Sequence, residues 1–279
     1  MNTPADSAKQ SYQSLYEDFD SPLMSQLRRE AYGEDIGQHS WVTAEDLRRD
    51  ASRLKLTRAA RLLDLGCGPC GPLTFLMKAT GCSGIGLDLS GAALSVGRRR
   101  AQSLGLDDRL TVYESDLDSA LPLAAGALDA AISLDVILHL RDRLRTFTDI
   151  ARVLVKGGRF LFTDAGVVTG AISSEEVATR SMHGFTQFCA QGFNERALEQ
   201  AGLKLLETED RTHGTLNNAR GRLEARLRHQ RDFEQLEGVE GFARYQGYLQ
   251  SIVSMSQRGI LSRVMYLAEV GSTVHPCRG

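Results

Sequence analysis

Residues 62–71 read LLDLGCGPCG, a short apolar run that ends in a glycine-rich turn. Apolar runs of this length bounded by glycine are typical of buried strands, and the PLTFLMKAT stretch that follows has helical spacing. Glycines between a strand and a helix allow a tight turn in which a ligand can approach the backbone. The stretch therefore predicts a strand, a turn and a helix that together hold a nucleoside cofactor.

The same alternation of apolar runs and amphipathic stretches continues to about residue 164. GIGLDL, RLTVYE, ALDAAISL and GRFLFTD have strand character, and stretches such as GAALSVGRRRAQSL lie between them. This alternation predicts an α/β fold with a parallel sheet covered by helices on both faces. We expect LVKGG at residues 154–158 to end a helix with a glycine beyond its C-terminus, and the next strand to begin at Arg159.

Two further regions surround this alternating segment. Residues 1–58 are polar with several aromatics and predict a helical N-terminal arm, in which Thr43 and Asp46 resemble a capping pair. Residues 59–279 then form the main domain, and its rhythm is interrupted at about 165–195 and 217–257. The second interruption predicts an inserted helical pair, after which LSRVMYLAEV at 261–270 returns to strand character.

Composition excludes several classes of protein. The 33 basic and 35 acidic side chains leave a net charge of −2, which supplies no general field for nucleic acid or an anionic membrane. No apolar window is long enough to span a membrane, and the opening residues lack the apolar core of a signal peptide. Five cysteines in 279 residues are the usage expected where thiols stay reduced. We therefore expect a soluble, cytoplasmic protein.

Two cysteines in the glycine turn, Cys67 and Cys70, have the spacing of half a metal site. No second Cys/His pair follows at a suitable distance, so the sequence predicts no metal. Aromatic residues make up only 6% of the chain, and the Arg98–Arg100 run has the pattern of a solvated helix face. We expect no nucleic-acid partner and a small substrate.

Two cofactors are compatible with the glycine turn. Gly66, Gly68 and Gly71 match the dinucleotide fingerprint, and Asp88 follows about 20 residues later at the end of the next strand, which allows NAD. Asp64, directly before the glycines, would repel a pyrophosphate. S-adenosylmethionine (SAM) carries an ammonium and a sulfonium and no phosphate, so it suits Asp64 better, and Asp88 can bond its ribose hydroxyls. The charge pattern favours SAM over NAD.

His139 is the first candidate for a general base. It follows the fourth predicted strand within DVILHLRD, where its side chain can reach a substrate or the cofactor edge. An ordinary histidine pKa near ~6.5 suits the acceptance of a proton. The alternative is a histidine packed under the turn and hydrogen-bonded to backbone.

The segments LLDLGCGPCG, GLDLS, SDL and LVKGGRFLFTD, within residues 60–165, resemble the motif series of class I SAM-dependent methyltransferases. The resemblance implies a Rossmann-like, seven-stranded, mostly parallel sheet whose last strand is antiparallel. It also implies SAM as methyl donor and S-adenosylhomocysteine (SAH) as product. The cofactor-binding residues that it implies are Asp64, Gly66, Cys67, Gly68, Asp88, Leu89, Asp116, Leu117 and Leu134.

A narrower resemblance lies in YGEDIGQHSW, residues 32–41. It is similar to the N-terminal segment of small-molecule methyltransferases that N-methylate glycine, sarcosine and phosphoethanolamine. This likeness implies that the arm lies over the cofactor, that Tyr16, Tyr32 and Trp41 contact the substrate, and that the two insertions complete the pocket. The class I motif series implies that Asp135 lies at the strand end that lines the methyl donor, where we expect it to contact the substrate as well.

The function that these resemblances imply is direct displacement of a methyl group from SAM to a small acceptor, with nitrogen favoured over oxygen or carbon. The alternatives are an NAD-dependent oxidoreductase and a non-catalytic SAM sensor or partner subunit. A homodimer is the assembly that we expect.

Overall fold

The computed structural model describes Tyr16, residues 18–182 and residues 184–271. Within them the strands are β1 Arg61–Leu65, β2 Ser83–Asp88, β3 Leu110–Glu114, β4 Leu128–Leu134, β5 Leu154–Val168, β6 Cys189–Ala190, β7 Leu203–Asp210 and β8 Leu261–Val270. The helices are α1 Pro22–Tyr32, α2 Ala44–Arg53, α3 Gly71–Thr80, α4 Gly91–Ser103, α5 Arg143–Val153, α6 Ser174–Arg180, α7 Phe193–Gln200, α8 Thr212–Arg228 and α9 Gln230–Gln257, with a short 3₁₀ helix at Ile137–His139.

The strands form one mixed sheet in the order β3-β2-β1-β4-β5-β8-β7, and the two-residue β6 pairs with β5 outside this path. Strands β1 to β6 pair in parallel. Strand β8 lies between β5 and β7 and runs antiparallel to both. The predicted Rossmann-like, mostly parallel sheet with an antiparallel last strand is confirmed, and β6 is an additional short strand.

Helices cover both faces of the sheet because neighbouring residues of each strand point to opposite sides. In β1, Leu62 packs with the apolar face of α3 and α4, including Leu73 and Leu94. Leu63 packs on the other face with Phe147 of α5 and Leu198 of α7. Two separate apolar cores therefore hold β1 in the middle of the sheet.

Two contacts of the N-terminal arm bear on the sequence predictions. The predicted capping pair is confirmed: the Thr43 hydroxyl accepts from the Asp46 amide at 3.1 Å, and the Asp46 carboxylate accepts from the Thr43 amide at 3.2 Å. Arg100 is not simply solvated as expected, since it forms an ion pair with Asp20 of the arm at 2.7 Å.

Two boundaries differ from expectation. Helix α5 ends at Val153, not at the glycines, because Leu154 already pairs with Leu128 of β4. Gly157, with φ of 75°, turns the backbone inside β5. The inserted helical pair begins at Thr212, and the backbone of Gly238 (φ 77°, ψ 160°) interrupts α9.

The order of the sheet reverses between β1 and β4, since the chain moves outward from β1 to β3 and then returns to the other side of β1. In open α/β sheets, ligands bind in the crevice beyond the carboxyl ends of the strands at such a reversal. No helix among the described residues is long and apolar enough to cross a lipid bilayer.

Candidate functional site

A cavity of about 430 Å³ lies beyond the carboxyl ends of β1, β2 and β4. This volume is within the usual range for small-molecule sites. Its lining includes all the cofactor-binding residues expected from the sequence: Asp64, Gly66, Cys67, Gly68, Asp88, Leu89, Asp116, Leu117 and Leu134. The arm contributes Tyr16 and Trp41, and residues of both insertions close the remaining side.

The glycine turn is built for close contacts. Gly66 has φ of 72°, and a Cβ at this position would lie 2.5 Å from Val136 Cγ2. The amides of Gly66 and Cys67 both donate to the Leu87 carbonyl, at 2.7 and 3.1 Å. Gly71 serves the arm rather than a ligand, because a Cβ there would lie 2.1 Å from the Gly37 carbonyl oxygen. The last glycine of the motif therefore lets the arm pack against the start of α3.

The Asp64 side chain is buried at the cavity wall, with 2% of its surface exposed. Burial, with a smaller contribution from the charge of Asp88, raises the pKa of Asp64 to about 8. No side-chain hydrogen bond or ion pair of Asp64 is formed within the described chain. Without a ligand, this carboxyl group is therefore mostly protonated at neutral pH, and a cation placed beside it favours its ionised form.

Asp88 connects the glycine turn to the end of β2. One carboxylate oxygen accepts from the Gly68 amide and the other from the Ser90 amide, each at 2.8 Å. Burial raises the pKa of Asp88 despite these hydrogen bonds. Each oxygen retains a second lone pair, so Asp88 can also accept from ligand hydroxyls. Asp116 is exposed at the rim of the cavity, and its carboxylate accepts from the Asp118 amide at 2.9 Å.

His139 is at the end of the 3₁₀ helix that follows β4 and lines the cavity. Its Nδ1 lies 2.8 Å from the Phe185 carbonyl oxygen. A carbonyl oxygen only accepts, so Nδ1 carries the proton and Nε2 is the basic nitrogen of the neutral ring. Burial lowers the pKa of His139, which keeps the ring neutral at physiological pH. The ring therefore bonds to backbone, as one sequence-based alternative expects, and also lines the cavity, while its role as a base stays a prediction.

Asp135 lies in the cavity wall with an unusual backbone, φ of 61°. One carboxylate oxygen lies 2.8 Å from Arg263 Nε and accepts from the Thr163 hydroxyl, while the other accepts from the Trp41 amide at 2.9 Å. Burial would raise the pKa of Asp135, but Arg263 and these hydrogen bonds hold it below its ordinary value. The side chain expected to contact substrate therefore attaches the arm to the sheet.

Tyr32 is the one predicted site residue that does not line the cavity. Its hydroxyl donates to the Ser40 carbonyl at 3.0 Å, and its ring lies 5.1 Å from the Arg222 guanidinium carbon. Arg222 reaches the cavity from α8, and Tyr32 stacks against it.

Residues 63–162 match the family model described as a methyltransferase domain. The methyltransferase GfsG of Streptomyces halstedii is 34% identical over 164 residues, which cover 57% of this chain and 58% of that protein. A glycine/sarcosine/dimethylglycine N-methyltransferase of Actinopolyspora halophila is 30% identical over 177 residues, covering 63% of this chain and 31% of that protein. Residues 63–162 are thus similar to a methyltransferase domain.

A solved structure has a fold similar to that of the chain. The cyclopropane synthase MmaA2 of Mycobacterium tuberculosis has a TM-score of 0.80 with 15% sequence identity, over 94% of this chain and 97% of that one. At this identity the likeness concerns the fold alone. The matched segments span 58% and 31% of the lengths of the two sequence relatives.

Five residues of the two insertions also line the cavity, namely Arg180, Phe185, Arg222, Tyr245 and Tyr248. They come from the two segments that we expected to cap the substrate pocket, but sequence reasoning singled out none of them. For the second insertion, the sequence offered the charged helical pattern of 217–257, which does not show which side chains face the cavity.

The two cysteines of the glycine turn have sulfur atoms 3.6 Å apart. Burial, with a smaller contribution from Cys70, raises the pKa of the Cys67 thiol well above its ordinary value. Cys67 is therefore a thiol rather than a metal-binding thiolate. Within the described ranges, no three His, Cys, Asp or Glu side chains are placed to hold a metal ion.

Proposed function

We propose that the chain binds SAM and transfers its methyl group to a small-molecule acceptor, with SAH as the product. The observation that carries this proposal is the cavity itself. Its walls include the glycine turn with the buried acids Asp64 and Asp88, and residues of the arm and of the two insertions. Such a cavity accommodates a cationic nucleoside and a small second molecule side by side.

Charge argues for SAM over a dinucleotide. Asp64 is buried in the wall of the cavity without a basic partner in the described ranges, and Asp88 raises its pKa further. An ammonium group beside Asp64 would satisfy this carboxylate, whereas a diphosphate would add negative charge at short distance. The lone pairs of Asp88 suit ribose hydroxyls, and the apolar side chains of Leu89 and Leu117 suit the two faces of an adenine ring.

The chemistry asks little of the protein beyond alignment. When bound, SAM supplies a methyl group on a positively charged sulfur that is already a good leaving group. The arm and insertions exclude water and hold the acceptor in line, which can be worth ~7–11 kcal/mol of the barrier. Trp41 is well placed for this role because its backbone is attached on both sides, to Asp135 at 2.9 Å and to Asn218 at 2.8 Å.

His139 would remove the proton that the acceptor loses. Its Nδ1 proton donates to the Phe185 carbonyl, so Nε2 can accept a proton from an acceptor hydroxyl or from a newly methylated amine. Nitrogen stays the favoured acceptor atom on the resemblance of the arm. A hydroxyl acceptor would depend more strongly on His139, because a neutral amine attacks without prior deprotonation.

Two measurements test this function. Calorimetric titration should show binding of SAM and SAH and none of NAD; binding of NAD alone would support the oxidoreductase instead. Methyl-labelled SAM incubated with a metabolite extract should label a low-mass product, whereas label found only in RNA or protein would contradict a small acceptor. Tight SAM binding without turnover would support the sensor alternative. The cytoplasmic location and the homodimer stay predictions from the sequence.

A further inference from the structure

Two buried arginines line the acceptor side of the cavity. Arg180 ends α6 and Arg222 lies in the middle of α8, and each has 6% of its surface exposed. They come from different insertions and are brought to one cavity only by folding. Guanidinium groups keep their charge in proteins, so both are cations here.

Neither arginine has a carboxylate partner in the described part of the chain. Arg180 donates to the Tyr248 hydroxyl at 2.9 Å. Arg222 donates to the His39 carbonyl at 2.6 Å, and its guanidinium carbon lies 4.6 Å from the centre of the Trp41 ring. These partners are neutral, and each guanidinium has more donors than they occupy.

Two buried acidic groups that act on His139 in this region are already paired. Asp135 is paired with Arg263 and Asp164 with Arg143. Arg180 and Arg222 therefore leave two positive charges in excess on this side of the cavity. A buried charge without a counterion is costly, which favours a ligand that supplies negative charge.

The charges of the two arginines affect the pKa values of neighbouring side chains. Burial raises the pKa of Tyr248, while the charges of Arg180 and Arg222 both oppose this rise. After burial, Arg180 also contributes to the lowered pKa of His139. The two cations, the tyrosine and the histidine thus lie close enough to affect one another. Phe185 lines the same cavity.

The same cavity is also lined by Asp64, Asp88 and Asp116, which lie at the carboxyl ends of β1, β2 and β3. We propose that the methyl acceptor is a small acid whose anionic oxygen group, a carboxylate or a phosphate, binds against Arg180 and Arg222. This inference rests on the proposed function and specifies its substrate class. The two arginines would orient the acceptor, because they attract its anionic group to the residues of the insertions.

The test uses simple anions on the full chain saturated with SAH. Benzoate, phenyl phosphate and the uncharged benzamide are titrated by calorimetry, and thermal unfolding is followed in parallel at matched ionic strength. We expect benzoate or phenyl phosphate to bind at least about tenfold more tightly than benzamide and to raise the unfolding temperature. The preferred anion distinguishes a carboxylate from a phosphate substrate.

The variants Arg180→Gln and Arg222→Gln should each weaken binding of the preferred anion about tenfold or more. Arg258→Gln is the matched control, because Arg258 is exposed and pairs with Glu176 on the surface. Unchanged SAH affinity shows that each variant is folded.

The proposal is wrong if wild type binds neither anion, if benzamide binds as well as both anions, or if the two variants bind the anion like wild type. Failure of wild type to bind SAM or SAH would instead contradict the proposed function. The same titrations without SAH then still report on the anion site.

Discussion

Replacement of Asp64 by asparagine should stabilise the ligand-free protein while it removes the binding site for a cationic ligand. The pKa of Asp64 is raised from 3.8 to about 8 by burial and by the charge of Asp88. At pH 7 the folded chain therefore holds a proton that the unfolded chain releases. The release favours unfolding, and asparagine, which has the same shape and no charge, eliminates it.

The magnitude follows from the difference between the two pKa values. Each pH unit above the unfolded pKa is worth about 1.4 kcal/mol, so at pH 7 the gain in the free energy of unfolding can reach about 4 kcal/mol. The sign is fixed by the raised pKa: the difference between variant and wild type is absent below pH 3.8, grows as the pH rises, and levels off near pH 8.

Urea denaturation of the ligand-free protein at pH 5, 7 and 8.5 measures this difference. Asp107→Asn is the control, since Asp107 is an exposed carboxylate outside the cavity lining and its replacement should change little at any pH. The variant should also lose SAM affinity. An Asp64→Asn protein that is less stable than wild type at pH 7, or whose difference from wild type is independent of pH, would refute the reasoning.

Three other outcomes are expected. SAH affinity should rise with pH up to about 8, with proton release on binding, because a cation binds the ionised form of Asp64. Calorimetry in buffers of different ionisation enthalpy detects the released protons. A pH-independent affinity in wild type would contradict the role of Asp64. Asp88→Ala should weaken SAM binding by about 1.5–3 kcal/mol through loss of charged hydrogen bonds. The loss should exceed that of Asp116→Ala, because Asp88 also accepts from the Gly68 amide. Equal titration curves for the two variants would place the ribose elsewhere. His139→Gln should retain SAH affinity, lower turnover, most strongly for a hydroxyl acceptor, and lose the acidic limb of the pH–rate profile. In wild type this limb should lie below the ordinary histidine pKa, since burial lowers the pKa of His139. An unchanged profile would remove His139 as the base.

The meeting of the predicted cofactor-binding residues at one cavity follows from the sequence because its determinants are local. Asp64 and the glycines lie within one strand and turn, and Asp88 follows at the end of the next strand. Parallel strands bring their carboxyl ends to one edge of the sheet, so these residues meet whatever the rest of the chain does.

The structure places the predicted substrate contacts in different positions relative to the cavity. Trp41 lines the cavity, whereas Tyr32 stacks behind Arg222 and the Asp135 carboxylate holds the arm. The spacing of YGEDIGQHSW indicates that the arm lies near the cofactor turn, but not which ring faces inward. That choice depends on α8, which begins at Thr212, far along the chain from the arm.

By itself, the sequence determined the sheet, the glycine turn and the acidic character of one end of the cavity, because strand periodicity and turn chemistry act over a few residues. Tertiary structure alone decided the other end. Arg180 and Arg222 belong to separate insertions, and no local pattern distinguishes them from solvated arginines in helices. Only the packing of α6, α8 and the arm around the cavity makes them buried cations without carboxylate partners among the described residues.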